Sequence, residues 1–218
     1  MLASRPSIHP EAAPSAGLRG DVGDADGIET PRPSARIDPI AFRDGLFALR
    51  TRRFGKVCEM MIEKLTGAGR ARNIFHDLFD DAHGERIEVK FSTVNASHEG
   101  AITSDTLFSA VAAASAPRAV AFDEWPDRSF DCNIQQVKPA EFDLLYYGLF
   151  FRDRVVIFRM RAQDLMEDPA ILYCDRQHKG NVGEGQFHLT PRTIAHHLER
   201  YHLLDLSYRA FIELFDAT

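Results

Sequence analysis

Cysteine is scarce in this 218-residue chain, and its three copies, Cys58, Cys132 and Cys174, are too few and odd in number for a disulfide framework. The expectation is therefore a reducing compartment, with the cytoplasm as its default. Nowhere do eighteen apolar residues run together, and the first thirty residues hold no apolar segment of signal-peptide length, so neither a membrane span nor secretion is expected. Net positive charge is also missing: 26 Lys and Arg stand against 32 Asp and Glu, a formal charge of −6. That balance disfavours nucleic-acid binding through bulk charge and leaves only local contacts open. Tryptophan occurs once, as Trp125, in a loop-like stretch beside Pro126, where anchoring the loop is a plainer role than stacking on a base.

What is present suits one globular domain, with 44% hydrophobic and 27% charged residues. Residues 1–37 are rich in Ala, Ser, Pro, Gly and Asp without periodicity, and cannot bury enough apolar surface to offset ordering entropy; they are expected to form a disordered arm. Asp38-Pro39 then reads as a helix start, Asp as N-cap and Pro at the first helical position. From about Arg52 a second helix is predicted. Its Phe54, Val57, Cys58, Met61 and Leu65 form a core stripe, while Glu59 and Glu63 share another face. The run Arg43, Arg50, Arg52, Arg53 and Lys56 is the densest basic stretch, readable as phosphate contact or as a solvated helix surface.

Asn73 to Val94, NIFHDLFDDAHGERIEVKFSTV, reads as two strands joined by a turn at Asp80 to Gly84. Strand alternation puts Glu88 and Lys90 on one side and Ile87 and Val89 on the other. If the partner strand pairs in register, Asp77 lies across from them, giving two carboxylates and an ammonium around one point, a setting for a hard divalent cation. Downstream, Thr103 to Ala116 is predicted as a packed helix, Cys132 to Val137 as a buried strand with Gln136 and Lys138 on one face, Pro139 onward as a helix carrying Phe142, Leu145, Tyr146 and Leu149, and Val155 to Met160 as a strand. Ile171 to Thr190 is too polar for a core strand. Its Gln177, His178, Lys179, Asn181 and Gln186, among glycines, are side chains that can read base edges, or else an ordinary surface loop. Thr190-Pro191 and then Leu206 to Phe215 close the chain as helices. Cys174 and His178, with His188, His196 and His197 following, lack a second close pair at zinc-finger spacing, so zinc is not expected.

Asp77 followed by Glu88-Val89-Lys90 resembles the PD-(D/E)XK signature of the restriction-endonuclease-like nucleases, and Gly55 to Glu59 resembles that family's first helix. The likeness spans roughly Arg50 to Met160, departing at His76, where the motif's name has Pro. The resemblance implies an α/β (α+β) fold with a restriction-endonuclease-like core, a central mixed β-sheet flanked by helices. That core would occupy residues 38–165, with a helical C-terminal extension for recognition over 166–218. It also implies a magnesium-dependent endonuclease acting on double-stranded DNA. Asp77, Glu88 and the Val89 carbonyl would hold one or two Mg²⁺, Lys90 would serve the attacking water, and Glu59 would hold a water or second metal. Arg52, Arg53, Gln136 and Lys138, with the polar residues of 177–186, would meet the duplex. A type II restriction endonuclease acting as a homodimer is the first expectation. The alternatives are a repair or mobile-element endonuclease on the same core, or a DNA-binding protein that no longer cuts.

Overall fold

A computed structural model describes residues 36–97, 101–114, 118–176 and 182–216. The predicted arm falls almost wholly outside the described residues, as do Gln177, His178, Lys179 and Asn181. The fold opens as its capping chemistry requires. In α1 (Pro39–Phe47) the Asp38 carboxylate accepts from the backbone N–H groups of Ile40 and Ala41 at 3.3 and 3.0 Å, satisfying donors that a helix start leaves orphaned. α2 (Thr51–Thr66) buries Cys58, Met61 and Ile62, and stops at Gly67, whose φ of 76° suits a residue without a Cβ.

Two sheets follow. The larger comprises β1 (Gly69–Arg70), β2 (Leu78–Asp80), β3 (Glu85–Thr93), β5 (Leu144–Phe150), β6 (Arg154–Arg161) and β9 (His202–Ser207), in spatial order β1-β2-β3-β5-β6-β9. It is mixed, because β3 runs parallel to β5 while every other pairing in it is antiparallel. The smaller sheet is β4 (Cys132–Val137), β8 (Val182–Leu189) and β7 (Cys174–Arg176), in the order β4-β8-β7. Ile87, Val89, Tyr146, Phe150 and Ile157 pack with residues of α1, α2 and α6 (Tyr208–Glu213). The opposite set, Leu145, Tyr147, Leu149 and Phe158, packs with Ile134 of β4, Phe187 of β8 and Ile194 of α5 (Ile194–Arg200). The molecule is thus mixed α/β, a central mixed sheet flanked by helices on one face and covered by a second sheet on the other. No described helix is long and apolar enough to cross a membrane.

Several sequence expectations are corrected. The helix predicted from Pro139 is a turn followed by β5, in which all seven residues are buried. A central strand covered on both faces is continuously apolar, so it carries no period of two to set it apart from a helix. The stretch expected to be too polar for a core strand forms β7 and β8, of which β8 buries Phe187 and Leu189, and the C-terminal region is no helical extension, since β8 is the middle strand of the smaller sheet and β9 an edge of the larger. The closing helix begins at Tyr208, capped by Ser207, whose hydroxyl accepts from the Ala210 N–H at 3.1 Å; Leu206 belongs to β9. Finally α3 (Leu107–Ala114) does not bury its large apolar residues Leu107, Phe108 and Val111, and Phe108 is 85% exposed. Trp125 packs against the core, as an anchor should.

One core group ties the fold to pH. His197 is fully buried, stacked on Phe187, and its Nδ1 shares a 2.7 Å hydrogen bond with the Tyr147 hydroxyl. Burial, reinforced by the neighbouring His196 and opposed by Asp168, lowers its pKa from 6.5 to about 4. In the unfolded chain it protonates near 6.5, so its contribution to stability is whole above that pH and is lost as pH falls towards 4, a total of ~3 kcal/mol. Urea titrations of the wild type and of His197→Gln should therefore converge between pH 7 and pH 4. The buried Glu88 titrates with the opposite sign, and it cancels in this difference. Parallel curves would refute the assignment.

Candidate active site

The β2–β3 turn forms where the sequence places it. Gly84, at φ 70°, donates to the Asp80 carbonyl at 2.7 Å, and Leu78 pairs with Ile87. This register sets Asp77 just beyond the last paired residue of β2. Its backbone is held on both sides: its N–H donates to the Ile87 carbonyl at 3.0 Å, and its carbonyl accepts from Ala71 at 3.2 Å. The side chain is held as well, Oδ2 accepting from the Val89 N–H at 2.9 Å. The contact seen at Val89 is thus a donation from its amide to Asp77.

Around that fixed carboxylate the expected trio converges. Lys90 Nζ stands 3.9 Å from Asp77 Oδ2 and is ion-paired and hydrogen-bonded to Glu88 Oε1. Glu88 is only 8% exposed. Burial lifts its pKa from 4.5 to about 7, with the Lys90 charge pulling it down and the Asp77 charge pushing it up. A carboxylate so poorly solvated, beside another carboxylate, is a place where added positive charge would be stabilising.

The trio lines a cleft of about 250 Å³ together with Ile74, Phe75, His76, Gln136, Lys138, Glu141 and Glu184. Gln136 and Lys138 therefore join the site, though not by simple alternation. β4 skips register against β8 between Gln135 and Val137, and Gln136, the unpaired residue, has a φ of 57°. A left-handed glutamine inside a strand is strained backbone at the edge of a polar cleft, the setting in which strain tends to serve function. Gln136→Gly should leave stability unchanged or raise it by up to ~1 kcal/mol, since glycine adopts this φ freely but loses more chain entropy. Any activity of the cleft should fall about tenfold if the amide positions substrate. A drop in the urea midpoint would instead make the side chain a structural strut.

Lys138 is committed to neighbours, 3.2 Å from Glu184 and 3.7 Å from Glu141, and its pKa is raised by the hydrogen bond to Glu184. Both acids were missed in sequence. Glu141 stood in the mistaken helix, and Glu184 reaches the cleft through β4–β8 pairing, for which the sequence carries no local signal. Other expected residues lie elsewhere. Glu59 is ion-paired with Lys56 on the surface of α2 and does not line the cleft. Arg52 and Arg53 are exposed on the first turn of α2, also outside the cleft. Gln186 is buried, its Oε1 accepting from Nδ2 of the half-buried Asn133 at 3.0 Å, so its expected base-edge role is corrected: its amide oxygen is held within the smaller sheet.

Among the described residues, no group of three or more His, Cys, Asp and Glu side chains is placed to hold a metal ion. Asp77 and Glu88 supply two carboxylates. That number suits Mg²⁺, which is typically held by one or two carboxylates and completes its shell with water and substrate phosphate oxygens. Comparison of the chain with family models, with curated proteins and with solved structures gives no match.

Proposed function

We propose that this protein is a Mg²⁺-dependent endodeoxyribonuclease with a restriction-endonuclease-like core. In this reading it hydrolyses phosphodiester bonds in double-stranded DNA at a specific sequence, as a type II restriction enzyme does. The observation that carries the reading is the convergence of Asp77, Glu88 and Lys90 at one point of a polar cleft, from a hairpin whose register fixes all three.

Asp77 and Glu88 would hold one or two Mg²⁺, which when bound would polarise the phosphate and acidify a water. The remaining work falls to the chain. The Val89 amide fixes the rotamer of Asp77, so the carboxylate is aimed before substrate arrives. Lys90, held between the two acids, carries N–H donors to orient the attacking water and to stabilise charge growing on the phosphate oxygens. Gln136, at the exposed edge of the cleft, would donate to a sugar or phosphate oxygen. Cleaving both strands favours a homodimer, each protomer acting on one strand of a two-fold symmetric site.

The test is incubation of plasmid DNA with the full-length protein and Mg²⁺, then sequencing of the ends. Linear products with one common end sequence are expected. Intact plasmid with both Mg²⁺ and Mn²⁺ would reject cleavage, and ends scattered over sequence would reject specificity.

A further inference from the structure

A second cavity, of about 340 Å³, shares His76 with the cleft. Arg70, Arg72, Arg86 and Asn73 line it, with Asp81 as the acid among its lining residues. The three arginines are not equally available. Arg86 is bound bidentately to Asp143 at 3.0 and 2.9 Å and donates to the Ala140 carbonyl, so its charge is spent on the fold. Arg70 stands 3.7 Å from Glu63 as an exposed, loose pair. Arg72 has no ion pair or hydrogen bond among the described residues. Asn73 accepts the Phe75 N–H through Oδ1, which leaves its amide hydrogens to point elsewhere.

His76 supplies an independent observation. It is 92% buried, and its Nδ1 has no hydrogen-bond partner. Buried polar atoms nearly always have one, and an exception that lines a cavity is accounted for by a water, ion or ligand seated there. An orphaned imidazole nitrogen beside a free guanidinium and a free amide is a set of donors lacking an acceptor. A phosphate oxygen is the acceptor whose charge and geometry suit an arginine fork. We infer that this cavity is a phosphate subsite, taking the backbone phosphate that adjoins the one in the cleft. The inference rests on reading the cleft as the place where DNA is cut. Held through Arg72, Asn73 and His76, that phosphate fixes where the strand enters the cleft, and it gives a chain of net charge −6 a local anchor for a polyanion.

The experiment uses the full-length protein, ¹⁵N-labelled and without metal, titrated with thymidine 5′-monophosphate and with inorganic phosphate. Both probes should shift the Arg72 Nε and His76 imidazole resonances, and Arg72→Gln should abolish the response. Separately, Arg72→Gln should weaken duplex binding in Ca²⁺ five- to tenfold and lower the salt slope by about one, while Lys64→Gln, exposed on the last turn of α2 and outside both cavities, changes neither. No shift with either probe, or a duplex affinity and salt slope equal to wild type, overturns the subsite even if the protein cuts DNA. Shifts at Arg72 and His76 in a protein that fails to cut support the subsite and reject the cleavage reading instead.

Discussion

Asp77→Asn and Glu88→Gln should each lower Mg²⁺-dependent cleavage of plasmid DNA by at least about a thousandfold, since each removes a charged donor on which a metal-assisted hydrolysis depends. The substitutions are chosen to spare the fold. An amide at position 77 still presents an oxygen to the Val89 N–H, so the bond that aims the side chain persists. At position 88 the amide replaces a carboxylate that burial disfavours as an anion, so the Tm of Glu88→Gln at pH 8 should be no lower than wild type. Loss of cutting with an unchanged or higher Tm is the expected pairing. Wild-type cutting by either variant would remove that residue from the site, and loss of cutting accompanied by a fallen Tm would make the effect structural. Duplex binding in Ca²⁺, followed by fluorescence anisotropy, separates a failure to bind from a failure to react.

The parts of this fold legible in the sequence were those whose signals are local. Asp38-Pro39 announced a helix because a cap and a proline act within one turn, and Gly84 announced the hairpin because a positive φ is needed there. The hairpin then placed Asp77, Glu88 and Lys90 together, since register follows from the turn and the two-residue alternation. Long-range features were not legible. Nothing local distinguishes Leu144–Phe150 as a strand rather than a helix, because burial on both faces erases periodicity. Glu184 and Gln186 lie close together in one polar stretch, yet one lines the cleft and the other is buried against Asn133. Pairing with the distant strand β4 decides between those fates. Gln136 shows both effects at once: alternation put it on the right face, but a bulge with a left-handed residue carries it there.

Lys90 offers the sharpest separation of chemistry from binding. Its ammonium lies between the Asp77 and Glu88 carboxylates, where it can act on a water or on charge forming in the transition state, and it is only 24% exposed. Lys90→Met keeps most of the apolar stem and removes the charge, so cleavage should fall about a hundred- to a thousandfold while duplex affinity in Ca²⁺ changes little. Lys90→Arg should not rescue it, since a planar fork cannot take the place of a compact ammonium between two acids. The charge also serves the fold, because without it Glu88 is a buried carboxylate next to Asp77 with its cation gone, and Lys90→Met should lose Tm above pH 7. Adding Glu88→Gln to that variant should restore the Tm and leave cleavage absent. If Lys90→Met instead loses duplex binding and keeps its turnover on bound DNA, the ammonium is a phosphate anchor and the role assigned to it is wrong.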